Sequence, residues 1–199
     1  QYVKTEQGWL ERTVRIGVAD QLEFGIGASR LNERILPFGH VAQPPGQIYE
    51  PAPERLKMLQ VLAQQIKRHK GFALVIDYGH ADSGYGDTLQ AVKSQKYAGA
   101  LDAPGEADLT SHVDFASLAS MARAEGLCVQ EIMSQGDFLK GCGIEARAQM
   151  LKSGAAASAA DTIDSALHRL TDESQMGSLF EVLCITSAPI DLPPLKIPH

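Results

Sequence analysis

The chain has 199 residues, of which 44% are apolar and 21% are charged, and its formal net charge is −6. This size and composition are typical of a globular protein with its own hydrophobic core. The acidic balance, without a basic stripe, argues against nucleic-acid binding, and no apolar run is long enough for membrane insertion. Three widely spaced cysteines form neither a CxxC pair nor a disulfide framework, which indicates a reducing compartment.

The first part of the chain predicts a β-ribbon of two or three strands. Residues 1–5, 9–18 and 22–24 carry alternating or β-branched apolar side chains, and Gly8 separates the first two segments. Five prolines and two glycines between residues 36 and 53 then predict an irregular connection with little helix.

A helix and a buried strand follow this connection. Pro53 and Glu54 suit the first turn of a helix, and Gly71 is predicted to stop it. Its apolar face consists of Leu56, Leu59, Leu62, Ala63 and Ile66. Residues 72–76 form an unbroken apolar run, which is typical of a strand buried on both faces. The pattern predicts an α/β fold with a parallel sheet as its core.

The second half of the chain continues this alternation. Asp114 is a candidate N-cap for a helix from Phe115 to about residue 125, and Gly126 closes that helix. Residues 88–103 fit either a short helix or an irregular segment. The remaining elements are predicted as a strand at 127–133, helices at 136–152 and 159–170, and a strand at 179–186.

Two clusters of polar residues are candidates for a functional site. Asp77, Tyr78, Gly79 and His80 directly follow the buried strand, and ligands of open α/β sheets lie outside the carboxyl ends of the strands. His112 and Asp114 precede the next helix, so the two clusters are predicted to meet around one pocket. The alternative is that these residues only form turns and helix caps.

Other motifs in the sequence do not indicate a metal, nucleotide or phosphate site. The histidines and carboxylates lack the helical pair or paired short motifs that fix a metal site. Gly25-Ile26-Gly27 is followed by Arg30 at the third glycine position, and a β-turn explains it better than a nucleotide loop. The loop at 79–86 has no lysine followed by Ser or Thr, so it is not a P-loop.

Taken together, several strings resemble the MidA family of class I methyltransferases, in the family's order and over nearly the whole chain. They are Trp9-Leu10-Glu11-Arg12, Ala73-Leu74-Val75-Ile76-Asp77-Tyr78-Gly79, Gly86-Asp87-Thr88-Leu89-Gln90, Ala103-Pro104-Gly105-Glu106-Ala107-Asp108-Leu109-Thr110-Ser111-His112-Val113-Asp114-Phe115, Gln135-Gly136-Asp137-Phe138-Leu139, Gly143-Ile144-Glu145-Ala146-Arg147 and Met176-Gly177-Ser178-Leu179-Phe180.

The resemblance implies that residues 1–186 are the C-terminal portion of a Rossmann-like methyltransferase sheet with a β-ribbon insertion, followed by a proline-rich tail at 187–199. It implies S-adenosylmethionine as cofactor, held mainly by a glycine-rich loop and an acidic residue upstream of Gln1, so we expect this fragment to be inactive alone. The eukaryotic branch is similar to factors that methylate an arginine of a respiratory complex I subunit. The implied location is the mitochondrial matrix for that branch and the cytoplasm for a bacterial protein.

For such a reaction we expect Asp77 and Asp114 to bind the guanidinium group and His112 to relay a proton. Tyr78 or Phe115 would offer a ring face to the cation, beside Gly79 and His80 as further substrate-binding residues. The first alternative is a non-catalytic assembly or binding module. The second is a metal-dependent hydrolase that uses His80, His112 and Asp114. The sequence makes no prediction of the oligomeric state.

Overall fold

The computed structural model describes residues 1–36, 43–190 and 194. These residues form twelve strands and six α-helices, in the following order: β1 (Tyr2–Thr5), β2 (Gly8–Ile16), β3 (Leu22–Arg30), β4 (Ile48–Tyr49), α1 (Pro53–His69), β5 (Phe72–His80), β6 (Gln90–Lys93), β7 (Lys96–Ala98), β8 (Asp108–Thr110), β9 (Val113–Asp114), α2 (Phe115–Ala124), β10 (Cys128–Val129), β11 (Met133–Ser134), α3 (Gln135–Gly141), α4 (Ile144–Lys152), α5 (Ala157–Thr171), α6 (Met176–Leu179) and β12 (Phe180–Thr186).

The chain divides into two compact units. The first unit comprises Gln1–Ala52 and Ser83–His112, and the second comprises Pro53–Asp82 and Val113–His199. Most of the predicted tail at 187–199, and part of the predicted connection at 36–53, lie outside the described residues. No helix in the described ranges is both long enough and apolar enough to cross a membrane.

The first unit contains the predicted ribbon. Its four-stranded antiparallel sheet has the order β3-β2-β1-β4, and a smaller sheet has the order β7-β6-β8. The ambiguous segment at 88–103 therefore contributes a hairpin, β6–β7, rather than a helix. Gly25 and Gly27 lie within β3, so the turn predicted for them is wrong.

Aromatic side chains form the core of the first unit. Trp9 is 1% exposed and packs with Tyr49, Leu31 and Leu36. The ring of Tyr85 stacks on Trp9 at a centroid distance of 5.3 Å, and Tyr49 meets Trp9 edge-on at 6.2 Å. Such aromatic pairs add stability beyond the apolar area that they bury. The tryptophan of the Trp9-Leu10-Glu11-Arg12 string is therefore the central packing residue of this unit.

The second unit is built on a mixed sheet with the order β10-β12-β5-β9, to which β11 adds on β12. β12 and β5 are antiparallel along seven residue pairs, and β5 and β9 are parallel. The prediction of a purely parallel sheet is thus wrong for the central pair. On one face, α1 and α2 pack Leu59, Ile66 and Phe115 against Leu183 and Ile185 of β12.

The strand that is buried on both faces is β12 and not β5. Residues Val182 to Ile185 of β12 are at most 1% exposed. In β5, by contrast, Phe72, Leu74 and Ile76 are 67%, 40% and 42% exposed. Ala73 and Val75 point to the opposite face and pack against the core. The prediction failed because the described residues cover only one face of β5 along this stretch, whereas β12 has a strand on each side and cover on both faces.

Helices α3, α4, α5 and α6 pack against one another in the second unit. The predicted helix at 136–152 is two helices, α3 and α4, because Gly143 adopts a left-handed conformation with φ of +84° between them. Gly136 and Gly177 allow close packing here, since a Cβ on either would lie within 2.8 Å of the Thr171 carbonyl oxygen. The glycines of two family-like strings thus have a packing role.

Candidate functional site

Asp77, Tyr78, Gly79 and His80 are the last four residues of β5, whereas the sequence predicted that they follow the strand. Asp77 is directly opposite Glu181 on β12, and its Oδ1 accepts a hydrogen bond of 2.8 Å from the backbone N–H of Tyr78. Tyr78 is opposite Phe180, and the two rings meet edge-on at 5.8 Å. Because side chains alternate along a strand, the carboxylates and the aromatic rings lie on opposite faces of the sheet.

Glu181 is a site residue that the sequence did not reveal. It lies at the start of a strongly apolar strand, and only the strand register brings it beside Asp77. Burial raises the pKa of Glu181, and the nearby carboxylates of Asp137 and Asp82 raise it further. This end of the sheet therefore carries a concentration of negative charge, which suits a cationic ligand.

The parallel pairing of β5 and β9 brings two predicted site residues together. Gly79 pairs with Val113 and His80 pairs with Asp114, so both strands end at the same edge of the sheet. The register thus places His80 and Asp114 side by side at this edge, and the predicted joint site stays a prediction.

The Asp114 side chain caps the N-terminus of α2. Its Oδ1 accepts a hydrogen bond of 2.9 Å from the backbone N–H of Ser117, and its Oδ2 accepts one of 2.7 Å from the Ser117 hydroxyl. This satisfies one of the free N–H groups at the start of α2. Phe115 is 0% exposed and belongs to the core of the second unit. The ring of Phe115 is thus not accessible to a cation, and the ring of Tyr78 lies on the face of β5 opposite Asp77.

His112 belongs to the first unit, where other side chains hold it. Its backbone N–H donates to Thr88 Oγ1 at 3.0 Å, and its Nε2 is 3.5 Å from Nε2 of Gln90. The Thr88 hydroxyl in turn donates to Glu50, whose carboxylate also accepts from the Thr88 backbone N–H. The string Gly86-Asp87-Thr88-Leu89-Gln90 thus contributes directly to the surroundings of His112.

Asp87 of the same string is tied to the ribbon. Arg12 donates to Asp87 Oδ2 at 2.7 Å, Gln1 donates to Oδ1 at 2.9 Å, and Arg12 also stacks over the Phe24 ring at 3.6 Å. Burial acts to raise the pKa of Asp87, but the hydrogen bonds from Arg12 and Gln1 and the charge of Arg12 outweigh it and lower the pKa. An ionised Asp87 therefore fixes the segment before Thr88.

One cleft among the described residues does not suit S-adenosylmethionine. A polar cleft of about 390 Å³ lies beside α3, α5 and α6, but no aromatic or large apolar side chain that could hold an adenine ring lines it. The loop after β5 also lacks the glycine-rich turn into a helix that binds a nucleoside in such folds. Across residues 1–36 and 43–190, no three His, Cys, Asp or Glu side chains converge as metal ligands.

The sheet and its helices define an α/β protein whose fold is also found in solved structures. A Burkholderia thailandensis protein bound to S-adenosyl-homocysteine, described as a candidate methyl transferase, has a TM-score of 0.80 and 23% identity. The match covers 93% of this chain and 49% of that protein. A second Burkholderia thailandensis structure, of an uncharacterized protein, has a TM-score of 0.81 over 93% of this chain and 50% of the other. At this identity the likeness establishes the fold.

Residues 1–133 match the family described as "Putative S-adenosyl-L-methionine-dependent methyltransferase", and the chain belongs to that family. The mitochondrial protein arginine methyltransferase NDUFAF7 of Danio rerio is 36% identical over 128 residues, which are 64% of this chain and 30% of the relative. The Homo sapiens protein of the same name is 35% identical over 153 residues, or 75% and 33% of the two chains. This chain thus spans about a third of the length of these relatives.

Proposed function

We propose that this chain is part of an S-adenosylmethionine-dependent methyltransferase that modifies an arginine side chain of a protein, and that it supplies the acceptor side of the active site. The observation that carries the proposal is the family match over residues 1–133. The arginine acceptor rests on the relatives named protein arginine methyltransferase. In this proposal the cofactor is held mainly by residues outside this chain.

The acidic end of β5 suits such an acceptor. A guanidinium group is protonated at neutral pH, so its site must balance the positive charge and receive the proton that is lost on methylation. In this proposal Asp77 binds the guanidinium beside Glu181, with Gly79 on the same face of β5. Tyr78 and His80 lie on the other face, so in this proposal they contact the acceptor segment and not the bound guanidinium. S-adenosylmethionine, when bound, supplies the electrophilic methyl group.

Asp114 and His112 have separate parts in this proposal. Asp114 caps α2 and so fixes the edge at which β5 and β9 end, which is a supporting role in addition to the proposed contact with the cation. His112 is proposed to take part in proton handling. Most of the rate enhancement would come from orienting the two reactants, which is worth roughly 7 to 11 kcal/mol in favourable cases.

A subunit of respiratory complex I is the proposed acceptor protein, and a mitochondrial location is proposed with it. The support for the location is that the matched relatives are mitochondrial proteins. The acidic balance of the chain, with 24 Asp and Glu against 18 Lys and Arg, is compatible with an arginine-bearing partner segment.

The test is a methyl-transfer assay with the full-length protein, labelled S-adenosylmethionine and complex I subunits, in which the modified residue is identified by mass spectrometry. We expect label on arginine. Asp77→Asn should lower kcat/KM by roughly 100-fold, because a misplaced reactant costs about that factor. Asp161→Asn, on the exposed side of α5, is the matched control. A folded full-length protein that binds a subunit but transfers no methyl group would instead support the non-catalytic binding module.

A further inference from the structure

Three residues on neighbouring strands form a row that leads away from the proposed guanidinium site. Asp77 of β5 lies directly opposite Glu181 of β12, and Glu181 lies directly opposite Ser134 of β11. Residues that lie directly opposite one another point to the same face of a sheet, so these three side chains share one face. Because adjacent strands are about 4.8 Å apart, Ser134 lies roughly 10 Å from Asp77.

The far end of this row lies in the polar cleft of about 390 Å³ beside α3, α5 and α6, which is called the first cleft below. The Ser134 hydroxyl donates to Asp137 Oδ2 at 2.8 Å and accepts from the Asp137 backbone N–H at 3.1 Å. Both residues line the first cleft. Burial raises the pKa of Glu181, and the charge of Asp137 raises it further. The first cleft therefore begins within electrostatic range of the proposed site.

Small residues make the first cleft suitable for a polypeptide backbone. Half of the eight residues that line it are glycine or serine, namely Ser134, Gly136, Gly177 and Ser178. A Cβ on Gly177 would lie 2.5 Å from the Thr171 carbonyl oxygen, so α5 and α6 meet backbone to backbone at the cleft. Such contacts fix the shape of the cleft, and glycine also permits the close approach of another backbone. An extended polar segment fits this lining better than an apolar ligand does.

A second cleft of about 500 Å³ continues the first one, since Lys140 and Glu173 are among the residues that line both. Together the two clefts carry three carboxylates, those of Asp137, Asp172 and Glu173. The positive groups of the lining are Lys140 and, when it is protonated, His168. The carboxylates outnumber the cations even when His168 is charged, so the lining favours a cationic segment.

We propose that these two clefts bind the polypeptide segment that flanks the acceptor arginine, with a cationic side chain of that segment against Asp137 and Glu173. The inference rests on the proposed function, which places the acceptor guanidinium at Asp77. An extended chain rises about 3.3 Å per residue, so the roughly 10 Å between Asp77 and Ser134 corresponds to about three residues. The distance along the sheet thus sets which arginine of a protein is selected, namely one with a cationic residue about three positions away.

The test uses the full-length protein and two short synthetic peptides labelled with a fluorophore. One peptide carries a central arginine with a lysine about three positions to either side, as the strand rise requires. The other peptide has glutamine in place of both lysines. Fluorescence anisotropy measures the Kd of each peptide, and labelled S-adenosylmethionine measures methyl transfer. We expect the wild type to bind the lysine peptide roughly 3- to 10-fold more tightly, which is the effect of two exposed ion pairs.

Variants of the clefts test where this preference arises. Asp137→Asn combined with Glu173→Gln removes both charges at nearly constant size and should abolish the preference for lysine. Asp161→Asn combined with Glu145→Gln removes the same charge at exposed helical positions that do not line the clefts, and is the matched control. Asp137→Lys combined with Glu173→Lys should prefer a third peptide that has glutamate in place of both lysines. Loss of folding could not produce such a reversed preference.

The outcomes separate this inference from the proposed function. A wild-type protein that does not distinguish the lysine and glutamine peptides would overturn the inference, and so would a control that loses the preference as fully as the cleft variant. If arginine is methylated but Asp137→Asn/Glu173→Gln keeps the wild-type Kd values, the inference is wrong and the proposed function stands. If the preference depends on the clefts but the protein methylates neither the peptides nor complex I subunits, the clefts bind cationic segments and the proposed function is wrong.

Discussion

Gly79 and Val113 approach so closely that no side chain fits between them. A Cβ on Gly79 would stand 2.2 Å from the Val113 carbonyl oxygen and 3.0 Å from the Phe115 ring. The approach occurs where β5 and β9 pair in parallel. The obstacle is backbone and a fully buried ring, neither of which can move away cheaply. The glycine of the Asp77-Tyr78-Gly79 string is therefore required by packing at the edge that carries the proposed site.

Gly79→Ala should lower the free energy of unfolding by about 2–4 kcal/mol, because the methyl group must separate β9 and α2 from β5. Chemical denaturation of the chain measures the effect. Gly71→Ala, just before the same strand, is the matched control, since a Cβ there meets nothing within 4 Å. The control should change stability by less than about 1 kcal/mol. Equal stability of the two variants would contradict the packing role of Gly79.

The ends of α1 and α2 show the same hydrogen-bond pattern with different residues. In each case an N–H group bonds to the carbonyl five residues earlier, Gly71 to Ile66 and Leu127 to Ala122. The residue directly before the bonded N–H adopts a left-handed conformation, with φ of +54° at Lys70 and +78° at Gly126. Both ends are Schellman motifs, in which glycine is the favoured left-handed residue.

Lys70→Gly should therefore stabilise the chain by about 0.5–1 kcal/mol, because glycine adopts this conformation without a Cβ clash. Gly126→Ala should destabilise it by a similar amount, for the opposite reason. Thermal unfolding of the two variants and the wild type provides the comparison. A destabilised Lys70→Gly variant would indicate that contacts of the lysine side chain matter more than the strain of its backbone.

These helix ends illustrate what the sequence could predict. The end of α1 was predicted to within one residue, but Gly71 was assigned the role that Lys70 has, because composition does not show which residue closes the motif. The apolar run correctly located β5, but the strand continues through Asp77 to His80, because pairing with β12 and β9 extends it beyond the apolar residues. It did not show that Phe72, Leu74 and Ile76 are exposed, since that depends on what covers the sheet. The sequence did not indicate Glu181 as a candidate site residue for a similar reason. Its neighbour Asp77 lies on another strand, and the register between β12 and β5 brings the two residues together.

The raised pKa of Glu181 predicts how stability depends on pH. A carboxyl group whose pKa is higher in the folded than in the unfolded state stabilises the fold while both states are protonated. This contribution is lost as the pH rises through the folded pKa, so ionised Glu181 opposes folding at neutral pH. Glu181→Gln should therefore be more stable than wild type at pH 7, and the difference should vanish below the ordinary glutamate pKa of about 4.3. Urea unfolding at a series of pH values tests this.

Asp87 should show the opposite dependence, since its pKa is lowered in the fold. Its contribution is present above the unfolded aspartate pKa of about 3.9 and is lost as the pH falls through the folded pKa. Asp87→Asn should thus be less stable than wild type at pH 7, by up to about 1 kcal/mol for a partly exposed ion pair with Arg12. The gap should close at low pH and shrink in high salt. An equal loss at every pH would show that the amide perturbs packing instead.

Two leucines on adjacent strands test which strand forms the core. Leu183 of β12 is 0% exposed and lies opposite Val75, whereas Leu74 of β5 is 40% exposed. Leu183→Ala removes fully buried methyl groups and leaves a cavity, so it should cost about 2–5 kcal/mol. Leu74→Ala removes groups that already contact water and should cost about 1 kcal/mol or less. Both variants make the same chemical change in the same sheet, so strand propensity cancels in the comparison. Chemical denaturation that gave equal losses of the free energy of unfolding for the two variants would contradict this assignment. The exposed face of β5 would then have to be covered in solution, and β12 would not be the only strand of this pair that is buried on both faces.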